Sequence, residues 1–196
     1  MIIKPSIRSN FFTNCHPMGI KKHIESYIHA VKDLKPYEGP KNVLIIGGSS
    51  GYGLASRISL AYGSQANTVS ISFESEPKGN KTGSAGYWNN IFFEHFAKET
   101  QKLHKDFNGD AFSMDMKEKV LNYIKENLGQ VDLIIYSLAS GARKDLQTGE
   151  LVRSQIKPIG EPSLGKTIDL QSMEIVDLNV EPATEQETKD TVFVMG

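Results

Sequence analysis

Cysteine is nearly absent from this chain of 196 residues: Cys15 stands alone. One cysteine excludes an intramolecular disulfide and any CxxC metal or redox motif. The adjacent His16 makes Cys15-His16 a pair that can in principle be reactive, but a lone cysteine is far more often inert, and it is read as inert here. Long apolar runs are missing too, and none approaches the roughly 20 residues that a membrane span needs. The first residues, Met1-Ile2-Ile3-Lys4-Pro5, lack the charged start, apolar core and cleavage site of a signal peptide, so the expected location is the cytoplasm. No block of like charge appears either. With 22 basic and 23 acidic residues the net charge is −1, which gives no electrostatic footprint for a nucleic-acid partner. What remains is 39% hydrophobic, enough in a chain of this length for a globular protein with a real core.

The most informative stretch that is present runs Asn42-Val43-Leu44-Ile45-Ile46-Gly47-Gly48-Ser49-Ser50-Gly51-Tyr52-Gly53-Leu54-Ala55-Ser56. An apolar strand feeds spaced glycines and then a helix, which is how a pyrophosphate-binding turn is built. Glycine permits positive φ and close approach of backbone to phosphate, while the new helix aims its free N–H groups at the negative charge. The spacing Gly47-x-x-x-Gly51-x-Gly53 differs from G-x-G-x-x-G and matches the looser turn of short-chain dehydrogenase/reductases. A second β-branched segment, 68–73, ends at Glu74, 21 residues after Gly53. A carboxylate at that distance accepts hydrogen bonds from the adenosine ribose hydroxyls and repels a 2′-phosphate, which favours NADH over NADPH. Lys78 and Lys81 soften that repulsion.

Strand-like and helix-like patterns alternate through residue 139, the pattern of βαβ units and a parallel sheet. A short strand is expected at 1–4 and a helix at 21–34 with Ile24, Ile28 and Val31 on one face. The helix begun at the glycine loop continues through 56–62, with Leu54, Ile58 and Ala61 inward. The polar, glycine-rich stretch 77–86 reads as a mobile surface excursion. A helix at 87–102, a weak strand at 103–108, a helix at 113–128 and an apolar, buried strand at 131–136 follow. Beyond residue 143 the alternation breaks. Short extended segments at 165–169 and 174–179, with turns at 148–149 and 170–173, predict an antiparallel ribbon. Thr184-x-x-Glu187 predicts a capping box opening a last helix.

The fold class is therefore α/β: a Rossmann-type, doubly wound parallel sheet resembling short-chain dehydrogenase/reductases, incomplete, with an antiparallel ribbon insertion. Its expected parts are an amino-terminal extension packed on the sheet (1–40), dinucleotide-binding βαβ units (41–142), the ribbon insertion (143–182) and the start of a helix (183–196). In such sheets the ligand lies at the carboxyl ends of the strands. Four ends are singled out: the glycine loop, Phe73-Glu74, Asp110-Ala111 and Leu138-Ala139. Asp110 is placed to meet the adenine amino group, Ala111 to offer backbone contacts, and Leu138 and Ala139 to pack near the adenosine and ribose.

Several of these segments, together with His16-Pro17, Gly86-Tyr87-Trp88-Asn89-Asn90, Gly109-Asp110-Ala111-Phe112-Ser113, Tyr136-Ser137-Leu138-Ala139-Ser140 and Glu181-Pro182-Ala183, resemble the monomeric NADH-dependent trans-2-enoyl-thioester reductases. That family comprises bacterial enoyl-acyl-carrier-protein reductases and trans-2-enoyl-CoA reductases, and the likeness is collinear over the whole chain. It implies NADH as hydride donor and reduction of the 2,3 double bond of an acyl thioester, carried on acyl carrier protein or coenzyme A, in fatty acid biosynthesis. It also implies that the cofactor contacts fall on Gly47, Gly48, Ser49, Ser50, Gly51, Tyr52, Phe73, Glu74, Asp110, Ala111, Leu138 and Ala139.

The family's catalytic tyrosine and lysine, in a Tyr-x8-Lys motif, are expected beyond Gly196. Tyr27 with Lys35 and Tyr136 with Lys144 have seven residues between them and do not match, so no catalytic residue is assigned. An apolar 131–136 strand at a sheet edge is written for a neighbour on each side, and self-association is expected of a chain that ends here. Two other readings stand beside the reductase. One is a non-catalytic NADH-binding protein; the other is a methyltransferase that binds S-adenosylmethionine through the same strand-end geometry.

Overall fold

The computed structural model describes residues 14–195 and residue 3, with the backbone of 7–8 and 11–12. The strand expected at 1–4 lies outside the described residues, apart from residue 3, which belongs to no strand. The elements in chain order are β1 (Ile7–Arg8), β2 (Phe11–Phe12), α1 (Pro17–Lys32), β3 (Asn42–Ile46), α2 (Gly51–Gly63), β4 (Asn67–Ser72), α3 (Ala85–Ala97), β5 (His104–Asn108), α4 (Met114–Asn127), β6 (Leu133–Tyr136), β7 (Ala142–Lys144), β8 (Leu151–Arg153), β9 (Ser163–Ile168), β10 (Ile175–Val180) and α5 (Glu185–Met195). They divide into two compact units, Met1–Ser137 and Leu138–Gly196.

The first unit is built on four parallel strands in the order β5-β4-β3-β6. The chain winds outward from β3 to β5 and then returns to place β6 on the other side of β3, so the winding direction reverses between β3 and β6. Alternation along β3 explains the layers, since successive side chains point to opposite faces. Val43 and Ile45 pack with Leu60 of α2, whereas Leu44 joins Val69, Ile71 and Phe107 under Val120 and Ile124 of α4. Helix α1 lies over α2 and α3, its Ile24 and Ile28 meeting Leu54, Ile58, Phe93 and Ala97.

One charge is buried in this packing. Arg57 of α2 is fully enclosed, and its guanidinium forms a two-pronged pair with Asp106 of β5 at 2.6 and 2.9 Å. The Arg57 Cζ lies 4.0 Å from the centre of the Phe93 ring. Beside it, the His104 ring nitrogens each lie 2.9 Å from a threonine hydroxyl, Thr68 on one side and Thr100 on the other. Burial, and after it the Arg57 charge, push the His104 imidazole down to about 4. A buried ion pair with good geometry ties α2 to β5, and removing one partner would leave the other uncompensated.

Strand β6 takes the edge position expected of it, and there it is only partly covered although its apolar sequence reads as buried. Its burial alternates, with Ile134 58% and Tyr136 47% exposed. Among the described residues β6 pairs only with β3, and the α4 core covers side chains of β3, β4 and β5; an edge strand keeps only part of its apolar surface covered. The stretch expected to be a mobile excursion is instead tied down at its base. Ser84 N–H donates to Ser75 O at 2.9 Å, Lys78 and Lys81 bond each other's backbones, Cys15 N–H donates to Thr82 Oγ1 at 2.9 Å, and Trp88 Nε1–H donates to Thr82 O at 2.6 Å.

In the second unit β7 and β8 form one antiparallel pair, and β9 and β10 another with six residues in each strand. The predicted capping box is formed reciprocally: Glu187 N–H donates to Thr184 Oγ1 at 3.2 Å, and Thr184 N–H to Glu187 Oε2 at 2.9 Å. A Lys157 ammonium 2.6 Å from Glu187, together with the Thr184 backbone bond, holds the Glu187 carboxyl below the usual carboxylate range.

Candidate nucleotide-binding site

Loops follow the carboxyl ends of β3, β4 and β5, and the residues just after β3, β5 and β6 are each tied by a backbone hydrogen bond to the end of the neighbouring strand. Gly47 N–H donates to Ile71 O at 2.8 Å, Gly109 N–H to Ser72 O at 2.8 Å, and Ser137 N–H to Ile46 O at 2.7 Å. In the glycine loop the backbone leaves no alternative to glycine at Gly53. A Cβ there would sit 2.1 Å from Gly47 O, so the turn folds directly onto the first turn of α2. Gly51 has φ +54°, yet nothing lies within 4 Å of an added Cβ. Its positive φ favours glycine, and the space over it is open.

Ser50 caps α2 in extended conformation, and its side chain makes no cap hydrogen bond. The first N–H groups of α2 have no partner within the helix, which makes this end an anion site in outline. Two aromatic side chains stand in solvent beside the loops: Tyr52 is 88% and Phe73 81% exposed. Large apolar rings left in water next to a phosphate-shaped turn suit the flat faces of a nucleotide.

The carboxylate does not stand free. Glu74 accepts a hydrogen bond from Ser49 Oγ and another from Ser84 Oγ, each at 2.5 Å. Its backbone is clamped by Asn108, with Glu74 N–H donating to Asn108 Oδ1 at 2.8 Å and Asn108 Nδ2–H to Glu74 O at 3.1 Å. Asn89 Nδ2–H donates to Ser49 O at 2.8 Å and holds the glycine loop from the α3 side. Asp110 accepts Phe112 N–H on Oδ1 at 2.9 Å, which folds its loop into the N-cap turn of α4. Ala111 packs partly against the α4 core. Gly47, Gly48, Ser49, Ser50, Gly51, Tyr52, Phe73, Glu74, Asp110 and Ala111 thus all lie in the first unit, while Leu138 and Ala139 open the second, directly after Ser137.

Two family models cover nearly all of this sequence. Residues 2–79 match the NAD(P)H binding domain of trans-2-enoyl-CoA reductase, and residues 81–196 match the trans-2-enoyl-CoA reductase catalytic region. The chain belongs to the trans-2-enoyl-CoA reductase family. Among relatives of this family member, the enoyl-[acyl-carrier-protein] reductase [NADH] of Aliivibrio fischeri strain MJ11 is 48% identical over 100% of this chain and 49% of its own length. The protein of the same name from Psychromonas ingrahamii is 49% identical over the same shares. The family member therefore spans about half the length of the curated relatives it matches. Its structure superimposes on Clostridium acetobutulicum trans-2-enoyl-CoA reductase in complex with NADH with a TM-score of 0.92 at 42% identity, covering 100% of this chain and 50% of that one. The Treponema denticola trans-2-enoyl-CoA reductase in complex with NAD gives 0.90 at 41% identity, covering 100% and 51%.

Sequence reasoning missed Asn89, Asn108 and Ser84 in this reductase-family cradle. Asn89 stood inside a quoted motif with no role attached, and Asn108 read as the polar end of a weak strand. The one available signal for Ser84 was its place before a helix, where serine is a preferred N-cap; it does accept Tyr87 N–H in that position.

Proposed function

We propose that this chain forms the NADH-binding part of a reductase acting on the 2,3 double bond of trans-2-enoyl thioesters, carried on acyl carrier protein or coenzyme A. The observation that carries the reading is the contact of Gly53 with Gly47 O, which sets the amino end of α2 against the glycine loop at the point where strand order reverses. Ligands of doubly wound sheets bind at that point. The names of the relatives and the NADH in the Clostridium structure support it.

In this reading Gly48, Ser50 and Gly51 offer backbone N–H groups to the pyrophosphate, with open space over Gly51; Gly47, whose own N–H is spent on Ile71 O, turns the loop at φ +93°, and the α2 dipole stabilises the charge. Ser49 serves through its backbone, because its hydroxyl is given to Glu74. Tyr52 and Phe73 cover the adenosine, and Glu74 accepts the ribose hydroxyls on the lone pairs its serines leave. Asp110 and Ala111 border the adenine. When bound, the cofactor supplies the hydride for the double bond. The residues of this chain bind and orient it; none of the seven tyrosines precedes a lysine at the Tyr-x8-Lys spacing, so no proton-donating pair is placed here. The cytoplasm is the proposed location, and among the described residues no helix is long and apolar enough to cross a membrane.

Parallel fluorescence titrations with NADH and NADPH test the binding part of this reading. Saturable binding that favours NADH is expected, and binding of neither cofactor would refute it. The reaction is tested on a polypeptide carrying this chain together with a Tyr-x8-Lys segment, which should consume NADH only when a trans-2-enoyl thioester is present.

A further inference from the structure

Glu74 is held from four directions, and none of the groups holding it carries a charge. Asn108 fixes its backbone through both the N–H and the C=O, extending the β4–β5 pairing two residues past Ser72 by means of a side chain. Ser49 and Ser84 each donate a hydroxyl proton to its carboxylate. Ser84 is itself held, accepting Ser75 N–H at 3.1 Å and Tyr87 N–H at 3.4 Å as the cap of α3. The fourth side is the first turn of α3, where a Cβ on Gly86 would stand 2.1 Å from Glu74 Oε1 and 2.6 Å from Oε2. The carboxylate therefore rests directly on the helix backbone, beside the positive end of the α3 dipole.

A carboxylate on a free side chain excludes a 2′-phosphate only weakly, because it swings into solvent and lets the phosphate take its place. Lys78 and Lys81, on the loop that Ser75 and Ser84 close, would then add attraction. A carboxylate that cannot move keeps its negative charge where the phosphate has to sit, and like charges forced together are a strong means of discrimination.

We infer that Ser84 and Asn108 are specificity-determining residues of this cradle: by immobilising Glu74 they exclude NADPH without touching either cofactor. The inference rests on the reading of Glu74 as the ribose acceptor. It adds that the charge of Glu74 is not sufficient and that discrimination lies in the latch.

The test is a set of NADH and NADPH dissociation constants, measured by fluorescence on the 196-residue chain and on Ser84→Gly, Ser84→Thr and Asn108→Ala, with thermal melts as a folding check. Glycine keeps most of the N-cap preference while removing the hydroxyl, so it separates the latch from the cap. Ser84→Gly and Asn108→Ala should narrow the NADH preference by about threefold or more, chiefly through tighter NADPH binding, and Ser84→Thr should restore the parent ratio. A ratio within about twofold of the parent in both of the first two variants overturns the inference. So does an equal weakening for the two cofactors, which marks a purely structural role. A parent chain with no preference for NADH refutes the underlying reading before any variant is compared, and the inference falls with it.

Discussion

Substituting Gly53 by alanine tests the glycine loop most sharply, because the collision involves only backbone. The new Cβ would stand 2.1 Å from Gly47 O, 2.9 Å from Gly47 C and 3.3 Å from Gly48 Cα, whereas ordinary contact begins at 3.4 Å. The loop and the start of α2 must separate by about 1.3 Å, the difference between 3.4 and 2.1 Å. Overpacking of this kind costs about 1–3 kcal/mol. If the free chain relieves the clash by displacing the loop, the same energy has to be returned when the cradle closes on a pyrophosphate, a loss of about 5- to 150-fold in affinity. Urea denaturation read by circular dichroism measures the first quantity, and NADH fluorescence titration the second. A Gly53→Ala chain that binds NADH within about twofold of the parent would refute the argument, since even the lower cost predicts more than that.

Gly51→Val should behave differently. Its Cβ meets nothing in the free chain, so stability should fall only by the strain of a left-handed residue, about 1–2 kcal/mol, while NADH binding is lost; retained affinity in the titration would move the phosphates elsewhere. Asp106→Ala should destabilise the chain by about 3–5 kcal/mol in urea, because it strands the buried Arg57 charge; a loss under about 1 kcal/mol would show that Arg57 finds water. His104, pushed down to about 4 by burial and then by Arg57, sets a pH dependence of stability. The fold favours the neutral ring, so its contribution is complete above about pH 6.5 and is lost as pH falls toward 4, amounting to about 3 kcal/mol. Denaturation midpoints across that window should decline in the parent and flatten in His104→Gln; equal slopes would contradict the assignment.

How much of this was legible in the sequence depended on whether a signal was local. The glycine loop, the α2 start and the Thr184 capping box are written within a few consecutive residues, and each formed as its chemistry dictates. The ribbon also came through, with its strands found at Ser163–Ile168 and Ile175–Val180, because a turn between two β-branched runs is a short-range pattern. Long-range pairings were hidden. Arg57 reads as a charge on a helix until β5 brings Asp106 to it, 49 positions away. Asn108 reads as a strand end until Glu74 is placed beside it, 34 positions away. The Val131-Asp132-Leu133-Ile134-Ile135-Tyr136 run has a composition that signals burial, but burial is decided by the neighbours, and among the described residues β6 pairs with β3 alone, at the edge position expected of it.

The central claim is that one nucleotide is held at the ends of β3, β4 and β5. Amide nitrogen–proton correlation spectra recorded during a titration with NADH test it residue by residue. Shifts are expected at Gly47, Gly51, Gly53, Glu74 and Ala111 with the same saturation curve, and none along β9 and β10. Saturable shifts elsewhere with those five amides unmoved would contradict it.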